Sequence, residues 1–298
     1  MRTRTGATIY DATDASGARV QLTAYDASSF PSALVLERSL RELRQLQGVE
    51  HPRIVKVLGC GKLEGGTWEA HAALPGPSLA ETLAEQGPLS AAESVAVAQQ
   101  IGEALAEAQK AGVIHRNLGA DVIYPSPQGV LVAGFAVGAP QGGKAFGPLD
   151  TIAPEQVEGK VVDQRTLIYN LAALVQHMLR GRPLFTGDAA SVLQSHLSAE
   201  LPGDVSGTLR RGLAKDPRVR PMMLRQFVTE LAGGVSDAPA AVPSSRGWTM
   251  FTTAEPATPA AATPAAATPA AATPAASAAA STAAPAPAAD APKPSTRG

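Results

Sequence analysis

Cysteine is nearly absent from this chain: Cys60 is the only one among 298 residues. That excludes intramolecular disulfides and multi-cysteine zinc sites, and Cys60 reads as a small buried hydrophobe. No run of Lys and Arg marks a nucleic-acid surface, and the formal net charge is only −1. No apolar stretch reaches the roughly 18 residues that a membrane-spanning helix needs. Met1-Arg2-Thr3-Arg4 lacks the apolar core of a signal peptide. His71, His177 and His196 show no metal-ligand spacing. Together these absences predict a cytoplasmic chain with no bound metal, no nucleic-acid partner and no membrane span.

A further shortage divides the chain. Beyond about residue 235 large apolar side chains almost vanish, and Ala, Pro, Thr and Ser take over. Thr258, Thr263, Thr268 and Thr273 each begin a Thr-Pro-Ala-Ala unit at a five-residue period. Such a segment has little apolar area to offset its chain entropy, and its prolines interrupt any helix that alanine favours. The expectation is a folded domain over 1–234 and a disordered, partly polyproline-like tail over 235–298. The tail reads as a flexible spacer; the alternative is a multisite phosphoacceptor, each phosphate adding about −1.5 to −2 charges.

Within 1–234, Thr8 to Ala12 and Arg19 to Tyr25 are β-rich runs around Asp14-Ala15-Ser16-Gly17, a hairpin signal. Leu36, Leu40, Leu43 and Leu46 recur at helical spacing over Leu34 to Gln47. After His51-Pro52 a strand is expected from Ile54 to Leu58. Ser90-Ala91-Ala92-Glu93 is a capping box before a helix running to about Gly112. Helices are expected over Leu167–Leu179, Ala189–Leu197, Ser206–Leu213 and Leu224–Leu231. A small β-rich half followed by a larger helical half predicts a two-lobed α+β architecture.

Five motifs then stand in order: His51-Pro52-Arg53-Ile54-Val55, Gly112-Val113-Ile114-His115-Arg116-Asn117-Leu118, Ala153-Pro154-Glu155-Gln156, Gly181-Arg182-Pro183-Leu184-Phe185-Thr186-Gly187-Asp188 and Asp216-Pro217-Arg218-Val219-Arg220-Pro221. In order and spacing they resemble a bacterial Ser/Thr protein kinase domain of the eukaryotic type, over about three-quarters of the chain. The resemblance implies a buried pair between Glu155 and Arg220, and a packed spine of Leu46, His115 and Phe135 linking the lobes. Tyr169-Asn170-Leu171-Ala172 resembles the central helix of the large lobe, with Leu167 in place of the aspartate that anchors the catalytic loop.

The positions that carry phosphoryl transfer depart from the family pattern. That chemistry needs a lysine on the phosphates, carboxylates on Mg²⁺ and a base on the acceptor hydroxyl. By the resemblance, Thr23 stands for the strand lysine, Asn117 for the catalytic aspartate and Gly119 for the lysine two residues on. Val122 stands for the metal-binding asparagine, and Gly134-Phe135-Ala136 replaces Asp-Phe-Gly. Glu42 matches the helical partner of the lost lysine; with no cation to hold it, it reads as a solvated helix charge. Gln21 and Tyr124 fall where residues above and below adenine belong, and both bring polar bulk that would fill the slot. Only Gly6 stands for the glycine-rich loop, and the first strand reads as truncated.

The expectation is therefore a pseudokinase that binds neither ATP nor Mg²⁺. It would serve as an interaction or allosteric scaffold whose partner is an active Ser/Thr kinase or its substrate, docking around Ser191–Leu197 or on the small lobe's outer face. The alternative is a divergent nucleotide-dependent phosphotransferase using Asp121 and Lys144, whose spacing matches no motif.

Overall fold

A computed structural model of the chain describes residues 2–4, 7–26, 29–30, 32–64, 66–135, 145–205 and 207–234. Gly6, Ala136, Lys144, Ser206 and everything from 235 onward, including the Thr-Pro units, lie outside the described residues.

The upper half is a sheet with one helix. Strands β1 (Arg2–Arg4), β2 (Ala7–Thr13), β3 (Arg19–Tyr25), β4 (Val57–Leu63) and β5 (Gly66–Ala72) form a five-stranded antiparallel sheet in the order β1-β2-β3-β5-β4. A short first strand is thus present, three residues long. The turn between β2 and β3 is closed by Asp14, whose Oδ1 accepts from the Ser16 and Ala18 N–H groups at 2.8 and 2.9 Å, and Gly17 supplies φ +87°. Helix α1 (Ala33–Gln47) starts at Ser32, whose side chain accepts from the Val35 N–H, and buries Val35, Leu40, Leu43 and Leu46.

The strand expected from Ile54 is corrected. Ile54 forms an isolated parallel bridge with Val132, and β4 starts only at Val57. The Val55 N–H donates to the Val132 carbonyl at 3.0 Å, and the Val132 N–H to the Arg53 carbonyl at 2.8 Å. An apolar β-branched run specifies extended backbone but not its partner; here the partner belongs to the other half.

The lower half is helical. Helices α2 (Leu79–Gln86) and α3 (Ala91–Lys110) both open with capping boxes, Ser78 with Glu81 and Ser90 with Glu93. A single 3-10 turn (Ala120–Val122) leads into the hairpin β6 (Ile123–Ser126) and β7 (Gly129–Val132). Then come α4 (Pro154–Val157), α5 (Gln164–Arg180), α6 (Ala189–Ser198), α7 (Gly207–Gly212) and α8 (Leu224–Gly233). From Thr166 to Met178 every residue of α5 is buried, so this helix is the axis of the lower core. Helices α3, α7 and α8 pack against it. Gly212 permits the approach of α7, because a Cβ there would stand 2.8 Å from the Phe227 ring and 2.9 Å from Ala172. Burying each such Leu, Ile or Phe contributes about 1.5–3 kcal/mol. Among the described residues no helix is long and apolar enough to cross a membrane.

Candidate functional site

Between the halves lies a cavity of about 690 Å³. Its upper wall follows from strand alternation: the register pairs Gln21 with His71, Thr23 with Glu69 and Tyr25 with Thr67. Residues two apart along a strand share a face, so Gln21, Thr23, Tyr25, Glu69 and His71 line the cavity together. All five are buried, so the inward face of this sheet is polar where a core would be apolar. Gln21 Nε2 donates to Asp11 Oδ1 at 3.2 Å, and His71 Nδ1 lies 3.0 Å from the Ala72 carbonyl. The Tyr25 hydroxyl donates to Glu69 Oε1 at 2.8 Å. Burial pushes the Glu69 carboxyl above its usual range, against the opposing influence of His71 and of that hydroxyl.

The lower wall carries Asn117, Asp121, Val122, Tyr124 and Gly134, with Gly147 and Pro148 at one side. Gln21 and Tyr124 face this space from the two halves, and a volume of about 690 Å³ remains, so the expected filling of the slot by them is incomplete. Asp121 lines the cavity; Lys144 lies outside the described residues.

The loop bearing Asn117 is held from below. His115 Nδ1 accepts from the Asn117 N–H at 3.2 Å, and its Nε2 lies 2.9 Å from the Ala133 carbonyl. Burial drives its pKa down to about 4, so the ring is neutral and takes one tautomer. Its ring centroid is 4.5 Å from that of Phe135, and Leu46 belongs to the same apolar cluster as Phe135. Leu167 is fully buried in that cluster and offers no polar anchor. The loop is anchored instead by Thr151, whose hydroxyl donates to the Leu118 carbonyl, and by Gln156, whose Nε2 donates to the Arg116 carbonyl at 2.9 Å. Asn170 Nδ2 donates to Gln156 Oε1 at 2.8 Å and to the Thr151 carbonyl at 2.6 Å, tying both to α5.

Glu42 is not a solvated charge. Its side chain is 3% exposed, and it takes two bonds from Arg116: Nη1 to Oε2 at 2.6 Å and Nη2 to Oε1 at 2.9 Å. Arg38 Nε adds a third at 2.9 Å from one turn earlier on α1. The cation that was expected to be missing comes from the middle residue of His115-Arg116-Asn117, 74 positions away. No sequence spacing could have paired them. The only available signal was that an arginine in a buried apolar run needs an anion.

Two glycines are sealed by their neighbours. A Cβ on Gly119 would stand 2.9 Å from Asp121 Oδ1 and 3.0 Å from Pro148 Cγ. A Cβ on Gly134 would stand 2.9 Å from Val122 Cγ1, and Gly134 has φ +70°, which strains any L side chain.

Far from the cavity, Arg220 Nη1 bonds Glu155 Oε1 at 2.7 Å and Nη2 bonds Oε2 at 3.0 Å. Thr166 Oγ1 also donates to Glu155 Oε1 at 2.7 Å. Arg220 donates in addition to the carbonyls of Ala214, Arg165 and Lys215, and its guanidinium lies 4.8 Å from the Tyr169 ring centroid. Burial would raise the Glu155 carboxyl, but Arg220 overcomes it and holds the group below its usual range.

Sequence reasoning missed Glu69 and His71 as members of the site. Their signal was present in β5, where Thr67, Glu69 and His71 alternate, but it could be read only once the register with β3 was fixed.

A family model for protein tyrosine and serine/threonine kinases matches residues 24–175. The chain is 29% identical over 201 residues to the serine/threonine-protein kinase PknE of Mycobacterium tuberculosis, covering 61% of this chain and 36% of that protein. It is 28% identical over 221 residues to the serine/threonine-protein kinase pkn3 of Myxococcus xanthus, covering 68% of this chain and 39% of that protein. The chain thus spans little more than a third of these relatives' length. The crystal structure of the Mycobacterium tuberculosis PknI kinase domain superposes with a TM-score of 0.63 at 21% identity, over 79% of this chain and 93% of that one. That likeness gives the fold.

Proposed function

The chain belongs to the protein tyrosine and serine/threonine kinase family, and we propose that it is a catalytically silent member, acting as a protein-interaction or allosteric scaffold in Ser/Thr kinase signalling. The observation that carries this reading is the partner of Glu42. The charge that would position a phosphate-binding lysine is spent on Arg116, and Thr23 has no ammonium to offer.

The cavity does not fit Mg²⁺-ATP. Among the described residues that line it there is no Lys or Arg to meet a triphosphate. Glu69, Glu81 and Asp121 are its carboxylates, and among the described residues no group of three or more His, Cys, Asp or Glu could hold a metal ion. Asn117 lines the cavity where the base would act, and an amide cannot accept the hydroxyl proton.

Glu42 with Arg116 ties α1 to the loop bearing Asn117, and Glu155 with Arg220 ties α4 to the segment before α8. Such a domain biases a partner by differential affinity for the partner's conformations. The partner fitting this family is an active Ser/Thr kinase or its substrate. The test is direct: incubation with labelled ATP, Mg²⁺ and protein substrates should give no transferred phosphate. The same should hold after Thr23→Lys, Asn117→Asp, Val122→Asn and Gly134→Asp together, because Glu42 stays engaged by Arg116 and Arg38 and is not free to position the new lysine. Transfer by the unaltered chain would establish the alternative, a divergent phosphotransferase. Capture from native lysate that recovers no kinase and no kinase substrate would remove the scaffold reading.

A further inference from the structure

We propose that the cavity between the halves is a binding site for a small organic cation, a primary or secondary ammonium, seated against Glu69. The inference rests on the reading that the cleft no longer takes a nucleotide.

The charge pattern of the cavity points to it. Three carboxylates line it, and two of them are engaged in ways the fold explains or bonded elsewhere. Glu81 Oε2 accepts from the Ser78 N–H and hydroxyl at 2.7 and 2.8 Å, as the cap of α2. Asp121 sits at the 3-10 turn below and has interactions of its own. Glu69 differs from both. It is 6% exposed and lies in the upper wall, with one oxygen held by Tyr25 and no described residue donating to the other. No described Lys or Arg reaches the lining. His71 and the Tyr25 hydroxyl offset part of the cost of burying this carboxylate, and an incoming ammonium offsets more of it.

The position of this carboxylate gives the chemical class. Glu69 is the β5 partner of Thr23 across the sheet, and by the resemblance Thr23 stands where the family carries a strand lysine. Thr23 brings no ammonium to the carboxylate that faces it across the sheet. Glu42, the lysine's usual partner, is already satisfied by Arg116 and Arg38 and does not compete for the ligand. Around Glu69 the wall offers Gln21, Thr23 and His71 as polar neighbours, while Ile9, Leu74 and Val122 supply apolar surface for a short aliphatic or aromatic body. A phosphate-bearing ligand meets three carboxylates here and no described Lys or Arg.

The experiment is a thermal-shift and calorimetric titration of the full chain with 2-phenylethylamine and 1,4-diaminobutane. The neutral isostere 2-phenylethanol is the control, and Mg²⁺-ATP is run in parallel. Either amine should raise Tm by about 2–4 °C at saturation, and the alcohol should not. Glu69→Gln should weaken amine binding roughly tenfold or more, the usual effect of losing a charge-assisted bond. Thr23→Lys should abolish it by supplying the ammonium internally, and this variant keeps the test sound if Glu69→Gln fails to fold. Absence of any amine effect overturns the inference, as does an effect unchanged in both variants. A rise in Tm with Mg²⁺-ATP overturns the silent-cleft reading beneath it. Amine binding without an ATP effect supports both.

Discussion

Two buried Glu–Arg pairs, one at the base of the helical half and one at the junction of the halves, do opposite things with the same chemistry. Glu155 and Arg220 sit inside a network in which Thr166 and three backbone carbonyls satisfy the remaining valences. Every bond there supports the others, so the pair is over-determined and its sequence positions are legible. Glu42 and Arg116 form an equally close pair, 2.6 Å at the shorter bond, but with less around it. Arg116 Nε finds no partner among the described residues, and the supporting Arg38 is 39% exposed. At the base Arg220 holds Glu155. At the junction Arg116 holds Glu42 and so ties α1 to the loop bearing Asn117.

The comparison can be broken most severely at the base. Arg220→Met should strand Glu155 and cost about 3–5 kcal/mol in urea unfolding. The carboxyl of Glu155 is depressed below its ordinary 4.5 in the folded chain. Its contribution is therefore complete above pH 4.5 and lost as pH falls through the folded value, so the gap between variant and parent should narrow in acid. A gap that stayed constant down to pH 3 would show that the carboxylate charge is not what stabilises the base.

The junction should yield less. Arg116→Met leaves Arg38 on Glu42 and should cost about 1–3 kcal/mol. A double-mutant cycle with Glu42→Gln should return a coupling above about 0.5 kcal/mol; strict additivity would mean that the pair does not hold the halves together. Gly119→Lys should cost a further, independent ~1–3 kcal/mol through overpacking against Pro148, and Gly119→Ala most of that. Unchanged melting of both variants would show that this side of the cavity opens freely.

Glu69→Gln should have the smallest effect and the opposite pH sign. Burial raises the Glu69 carboxyl above 4.5. Its favourable contribution is full below pH 4.5 and lost as pH rises through the folded value. The glutamine variant should match the parent in acid and equal or slightly exceed it at pH 7, within about 1 kcal/mol. A clear loss of stability at pH 7 would mean that Glu69 has an ionic partner after all.

The fold was largely readable, element by element. Ser78 and Ser90 announced two helices through local hydrogen bonding, and the leucines of α1 announced its buried face. The segment at Ile54 misled because an extended run does not say which backbone will satisfy it. The anchors Thr151, Gln156 and Asn170 were silent for a related reason: neutral polar residues become recognisable only by what they touch.

By itself, the sequence determined which chemical groups are available at Thr23, Asn117, Gly119, Val122 and Gly134, because a threonine, an amide, a valine or a glycine carries no charge. It also determined the periodicities that make the helices and the hairpin, since those depend on neighbours in the chain. Tertiary structure alone decided what the remaining charges do. Whether Glu42 is solvated or buried, and whether Glu69 faces water or a cavity, depends on groups brought together from residues dozens of positions apart. Electrostatics follows distance and burial rather than order along the chain.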